Sequence, residues 1–331
     1  MSVTLDLSRY TKAPNGTIFV LKPEEANRRL AQKRDALRET IQRENWKYIP
    51  KDNELGQIAA ARKAGLPIAL IGPPGIAKTT LVSVLADQEG VAMIKINGAD
   101  AGKRLWQVIG APREIGDVAI YEDGPLSLAA RASETSIFYV DEAIEFSALF
   151  TSLSSVYDHT HTLPIEVTGE DLNTRHIDLF IVFNPPTIED RDKLPRPATL
   201  DRFVMIRFEG QNGQAAVDTL SQKYGVKQYT QKGPVLSAEM SMEDAIRRYA
   251  KPLEIIYNEL NSNTVRNHES IVVKPVTPRS LEHVFKLISF GLSPAEAVRI
   301  AMVNPMVPVD DSKLLKTFLT AADQVIASNG L

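Results

Sequence analysis

Gly72-Pro73-Pro74-Gly75-Ile76-Ala77-Lys78-Thr79 is the stretch on which the reading of this chain turns. An apolar run at residues 67–71 precedes it, and a helical stretch from Thr80 follows, the context that a phosphate-binding loop requires. Backbone N–H groups at a helix N-terminus point at phosphates, and the helix dipole favours their negative charge. Lys78 is expected to reach the β- and γ-phosphates of a nucleotide, and the Thr79 hydroxyl to ligate Mg²⁺. Ala77 stands where a glycine usually precedes the lysine. At the start of a helix a negative φ is expected there, which alanine adopts without strain. Gly72, Pro73, Pro74, Gly75, Ile76, Ala77, Lys78, Thr79 and Thr80 are thus the candidate nucleotide-binding residues.

Outward from the loop, apolar runs at residues 67–71, 92–96, 137–140, 179–183 and 204–208 alternate with helical stretches. That alternation implies an α/β fold, a parallel sheet with helices on both faces. Ser136-Ile137-Phe138-Tyr139-Val140-Asp141-Glu142 is an apolar strand ending in two carboxylates. Ligands of open α/β sheets sit beyond the carboxyl ends of the strands, so the pair is expected beside the loop. Asp141 is the candidate Mg²⁺ ligand, and Glu142 the candidate base for an attacking water. Asn184 ends the next apolar run and can orient that water, or it can simply begin a turn with Pro185 and Pro186. Arg202 follows in Leu200-Asp201-Arg202-Phe203. It is read as a source of transition-state charge for a neighbouring subunit, or as a surface partner of Asp201. Thr277 caps a helix whose first turn holds Arg279. The dipole disfavours a cation there, so contact with the γ-phosphate is the expected reason for it. Tyr48 and Ile49, after Trp46, border the adenine pocket or pack in the core.

The remaining chain divides by pattern. Residues 1–45 form an N-terminal extension with a charged helix starting at Pro23, residues 46–210 the α/β domain, residues 211–235 a linker with one helix, and residues 236–331 a small all-helical domain. Ser241 and the Ser293-Pro294-Ala295-Glu296 box mark helix starts in the last of these. The net charge of −3 gives no global basic field, and 44% hydrophobic with 24% charged residues is ordinary for a soluble chain. No cysteine is present, which excludes disulfides and thiolate metal sites. No apolar run approaches the roughly 20 residues that span a bilayer. His159 and His161 lack the further ligands of a metal site. The chain is expected to be soluble and cytoplasmic, with no membrane partner.

With these elements in order, residues 46 to 325 resemble the MoxR-type AAA+ ATPases, in the branch that also holds magnesium-chelatase ATPase subunits. The loop with its Ala77, Val108-Ile109-Gly110-Ala111-Pro112, Gly124-Pro125-Leu126, Leu200-Asp201-Arg202-Phe203 and Thr277-Pro278-Arg279 carry the resemblance. It implies an AAA+ P-loop NTPase with a five-stranded sheet in the order 5-1-4-3-2, a helical lid and a hexameric ring. It also implies two insertions, one at about residues 99–121 and a hairpin before the strand ending in Asn184. Residues 162–167 and 175–180 fit that hairpin, with Glu170 and Asp171 making an acidic tip. Where family members often carry Asn-Arg after the acidic pair and one more residue, this chain has Ala143-Ile144-Glu145.

The resemblance points to hydrolysis of ATP with Mg²⁺ by an oligomeric ring that remodels or matures a protein partner. Such partners include proteins with a von Willebrand factor A domain and metal-containing enzymes. A nucleic-acid motor or loader and a slow nucleotide switch are the alternatives. The acidic hairpin tip argues against nucleic acid, which wants Lys or Arg.

Overall fold

The computed structural model describes residues 5–48, 50, 53–101, 105–146, 153–184, 197–208, 213–226, 240–266, 276–303, 324 and 327–328. They fall into two compact units. The first gathers residues 1–46, 50–72 and 78–207, the second residues 47–49, 73–77 and 208–331.

In the first unit the chain opens with strands β1 (Tyr10–Lys12) and β2 (Phe19–Leu21) and helix α1 (Pro23–Arg43). Pro23 sits in the first turn of α1 with Glu24 and Glu25, where the dipole favours acids. Helix α2 (Glu54–Lys63) leads to β3 (Ile68–Ile71), helix α3 (Lys78–Glu89) and β4 (Ala92–Asn97). Strands β5 (Gly110–Ile115) and β6 (Val118–Asp123) precede helix α4 (Pro125–Arg131), and β7 (Ser136–Asp141) follows. The short strands β8 (Thr162–Ile165) and β9 (Glu170–Asn173) come before β10 (Ile177–Phe183) and β11 (Val204–Arg207).

The main sheet has the order β11-β3-β10-β7-β4, all parallel. Numbered within the sheet, that is 5-1-4-3-2, as the resemblance implies. Both faces are buried, which is why these strands read as unbroken apolar runs. On one face Ala69, Ile71, Ile94, Phe138, Val140, Ile181 and Phe183 pack with Leu21, Ala26, Leu30 and Ala129. On the other, Ile68, Leu70, Ile137, Tyr139, Phe180 and Val182 are equally buried.

A second sheet was not anticipated. Its order is β1-β2-β6-β5, so the N-terminal segment pairs with the insertion near residues 99–121. Gly110 and Gly124 make the close approach at its end possible, since a Cβ on Gly110 would stand 2.3 Å from the Glu122 carbonyl and one on Gly124 2.4 Å from that of Val108. Ala13, Val20, Tyr121 and Ile165 form a small core that joins the N-terminal segment, the insertion and β8.

The hairpin expectation needs correction. β8 pairs with β9, residues 170–173, and not with residues 175–180. Ile177–Phe183 is a buried strand of the main sheet hydrogen-bonded on both edges, so it has no edge left for β8. Nor is Glu170 a solvent-facing tip residue: Arg131 donates to it at 2.6 Å and to Asp123 at 2.8 Å. The Arg131 and Asp123 side chains are 4% and 1% exposed. Burial pushes the Asp123 carboxyl up even against the guanidinium beside it. His159 and His161 lie in the turn before β8 rather than on a strand, and His161 has φ 48°.

The second unit is helical where described: α5 (Gly213–Lys223), α6 (Met242–Arg266), α7 (Pro278–Ser289) and a short helix Pro294–Val298. The stretch read as a linker contributes α5, whose Ala216, Val217 and Leu220 join a core with Ile246, Leu253, Tyr257, Leu281 and Phe285. The cap signals hold: Ser241 Oγ accepts from the Asp244 N–H, Thr277 makes a reciprocal box with Ser280, and Ser293 accepts from the Glu296 N–H. Among the described residues, no helix is long and apolar enough to cross a membrane.

Breaking a buried ion pair from one side leaves the other charge uncompensated, at a cost of about 3–5 kcal/mol. Arg131→Met is therefore expected to destabilise the first unit by about that amount in urea unfolding. A loss under about 1 kcal/mol would mean that water reaches Asp123 and Glu170 in solution.

Candidate functional site

The carboxyl ends of β3, β10 and β7 lie side by side, because β10 pairs in parallel with both neighbours. The chain leaves β3 into Gly72 and re-enters a helix at Lys78, so the residues at these three ends converge. Lys78 is 8% exposed. Its Nζ donates to the Gly72 carbonyl at 2.5 Å and stands 3.4 Å from Asn184 Oδ1. Desolvation pulls the ammonium down to about 8, and the Asp141 carboxylate partly offsets this. A cation held here with so little solvent is poised to take an anion.

The backbone of the loop departs from expectation at Ala77. Its φ is +65°, not negative. Helix α3 begins at Lys78, so Ala77 lies one residue before it, where the chain is still reversing. Gly75 is also left-handed, with φ +77°. In this region an L-residue pays roughly 1–2 kcal/mol, which is the physical reason a glycine is usual at this place.

Thr79 and Asp141 are the oxygen donors proposed for a divalent cation. Among the described residues no group of three or more His, Asp and Glu could hold a metal unaided. Two hard oxygen ligands suit magnesium, which keeps waters and takes phosphate oxygens for the rest of its shell. The donor set therefore fits a cation that arrives with a nucleotide. Each donor already has a protein partner. Thr79 Oγ1 is 2.8 Å from Tyr139 Oη, and Lys95 Nζ is 2.8 Å from Asp141 Oδ2.

Glu142 follows Asp141 with φ +50° and an exposed side chain, and its N–H donates to Asp141 Oδ1 at 3.2 Å. A non-glycine residue at positive φ is a strained position of the kind that clusters at functional sites. Asn184 follows β10 and is exposed, with its Oδ1 turned to Lys78. Arg202 is exposed, with its guanidinium carbon 5.9 Å from the Tyr157 ring centroid, and Tyr157 in turn packs against Phe203 at 5.1 Å. The guanidinium is thus parked on an aromatic face of its own chain.

In the second unit Arg279 is exposed in the first turn of α7. A Cβ on Gly75 would come within 3.0 Å of Thr277 Cβ and 3.4 Å of Arg279 Cβ, so this end of α7 packs on the loop glycine. Tyr48 is half-buried in the same unit. Ile49 lies outside the described residues.

The sequence reading missed Tyr139 and Lys95. The signal was available in strand parity: Tyr139 and Asp141 share a face, and Lys95 pairs in register with Tyr139.

Replacing Ala77 by glycine removes the left-handed cost. Ala77→Gly is expected to stabilise the chain by about 1 kcal/mol in denaturant titrations. Lower stability would show that the loop takes a negative φ at this residue in solution.

Residues 67–203 match the family described as AAA domain (dynein-related subfamily). Among relatives, Protein NorQ of Paracoccus denitrificans is 28% identical over 180 residues, 54% of this chain and 66% of that protein. The Denitrification regulatory protein NirQ of Pseudomonas aeruginosa is 26% identical over 285 residues, 85% of this chain and 97% of the relative. Its counterpart in Stutzerimonas stutzeri is 31% identical over 170 residues, 49% of this chain and 58% of the relative. The chain thus spans under two thirds of NorQ and of the Stutzerimonas protein, and nearly all of the Pseudomonas one. Taken with the 5-1-4-3-2 sheet and the loop ahead of α3, the match identifies residues 67–203 as an AAA domain of the dynein-related subfamily, as the resemblance to the MoxR-type AAA+ proteins implies.

Proposed function

We propose that the chain hydrolyses ATP as a subunit of a hexameric ring and uses the cycle to remodel or mature a protein partner. The observation that carries this reading is the meeting of a desolvated Lys78 with Asn184 and Asp141 at the ends of three adjacent parallel strands. Lys78 and the N–H groups of residues 72–80 hold the outer phosphates. A magnesium ion bound by Thr79 and Asp141 would neutralise charge on the β- and γ-phosphates. Glu142 takes the proton of the attacking water, and Asn184 orients that water. Arg279 contacts the γ-phosphate, and Tyr48 with Ile49 borders the adenine.

Arg202 is assigned to the nucleotide of a neighbouring subunit. It is exposed, with its guanidinium resting on Tyr157, and so is open to solvent and to a neighbour. The partner reading rests on the relatives, two of which are named as denitrification regulatory proteins. A protein client, a metal-containing enzyme or a von Willebrand factor A domain partner in the cytoplasm, suits that company. The nucleic-acid alternative gains nothing from the hairpin. Its turn reads Glu166-Val167-Thr168-Gly169, with no cation, and Glu170 is spent on Arg131.

Two variants separate binding from chemistry. Lys78→Ala is expected to abolish binding of a fluorescent ATP analogue. Glu142→Gln should retain that binding and lower turnover by at least about 10²-fold. Full turnover in the Gln variant would move the base to another residue, with Glu145 the next candidate.

The shared site is tested by mixing. Arg202→Ala alone should lose roughly 10³-fold or more in turnover, as a trans arginine does, and Lys78→Ala alone should be inactive. Combining the two should restore part of the ATPase rate, with a maximum at intermediate ratio. A flat baseline after verified subunit exchange would place Arg202 within its own chain's chemistry or its packing.

A further inference from the structure

Both oxygen donors assigned to the metal are engaged by side chains that play no part in the hydrolysis scheme above. Lys95 lies on β4, directly in register with Tyr139 on β7, and Asn97 is in register with Asp141. Lys95 and Asp141 are therefore diagonal neighbours on one face of the sheet, a spacing that a long side chain spans. The Lys95 ammonium does so. It sits 2.8 Å from Asp141 Oδ2 and 5.6 Å from the centroid of the Tyr139 ring. The same tyrosine's hydroxyl meets Thr79 Oγ1 at 2.8 Å.

We propose that Lys95 is a built-in competitor of the cation, a positioning residue that pairs with Asp141 and must be displaced for the metal–nucleotide complex to seat. The inference rests on Asp141 being the metal carboxylate. An ammonium and a divalent cation cannot both take one carboxylate oxygen without strong repulsion between them. Lys95 thus raises the concentration of metal–nucleotide needed to fill the site. The Tyr139 ring gives the displaced ammonium somewhere to rest, since a cation over an aromatic face keeps part of its stabilisation. The pair also compensates the Asp141 charge on the protein's own side.

The size of the effect follows from exposure. The Lys95 side chain is 47% exposed and that of Asp141 27%, so solvent screens the pair. Ion pairs of this kind shift an equilibrium by roughly 2- to 5-fold.

The experiment is a Mn²⁺ titration of the full chain with fluorescent ADP. Nucleotide fluorescence reports binding, and the electron paramagnetic resonance signal of free Mn²⁺ reports the metal. Lys95→Met keeps the apolar stem and removes the charge; its Mn²⁺ midpoint should fall by roughly 2- to 5-fold. Lys95→Arg should keep the wild-type midpoint. The gap between Met variant and wild type should narrow as KCl is raised, because salt screens an exposed pair. Thermal melting of the same samples checks folding, and Lys95→Gln gives the same reading should the Met variant fail to fold. An unchanged midpoint in the neutral variants overturns the proposal. So does a raised midpoint, which would make Lys95 a ligand of the nucleotide. If the wild-type chain takes up no Mn²⁺ with ADP at all, the assignment of Asp141 itself falls, and this inference with it.

Discussion

Parallel pairing of β3, β10 and β7 is the constraint from which the rest of the site follows. Each strand must enter from the same end, so each returns through a helix or a longer excursion, and all three finish at one edge. The loop 72–77, the Asp141–Glu142 pair and Asn184 are the residues that follow those ends, and they have no freedom to be elsewhere. Burial of both faces then desolvates what sits at the edge. Lys78 shows this: the Gly72 carbonyl and the Asn184 amide oxygen lie against its ammonium, with the Asp141 carboxylate nearby.

Strain and pairing divide the site into two kinds of residue. Ala77 and Glu142 carry left-handed backbone, the one where the loop turns into a helix and the other where a strand breaks off. Thr79 and Asp141 are unstrained but occupied, by Tyr139 and Lys95. If Thr79 and Asp141 hold the cation as proposed, a nucleotide with its cation would have to exchange both side-chain pairs. On the function proposed for these residues, ligand binding is a substitution of contacts rather than the filling of a gap.

Away from the chemistry, the N-terminal segment ties the two insertions together. β2 pairs with β6, Asn15 Nδ2 donates to the Val167 carbonyl at 2.7 Å, and Arg131 bridges Asp123 to Glu170. Three segments distant in sequence thus share one small core, and a buried charge network joins the insertion to the hairpin. Any motion of the hairpin must carry the second sheet with it, or break a buried ion pair.

What was legible in the residues was what repeats locally. Five apolar runs of strand length, a Gly-Pro loop ending in Lys-Thr, an acidic pair after Val140 and hydroxyl caps at Ser241, Thr277 and Ser293 all depend on near neighbours, so they could be read in order. The strand order followed from the resemblance those motifs carry. What the residues alone left open depends on partners far apart in the chain. The hairpin's second arm, residues 170–173, was hidden because residues 177–183 look equally strand-like, and only the demand of the main sheet on both edges of β10 decides between them. The fate of Glu170 needed Arg131, and the pairing of residues 10–21 with β6 needed the fold. Ala77 shows the same division in one residue: its identity suggested ordinary helical backbone, and the need to reverse the chain ahead of α3 imposed φ +65° instead. Local pattern decides which element a residue joins; long-range pairing and burial decide what that residue touches, because only the closed fold removes the water that would otherwise satisfy it.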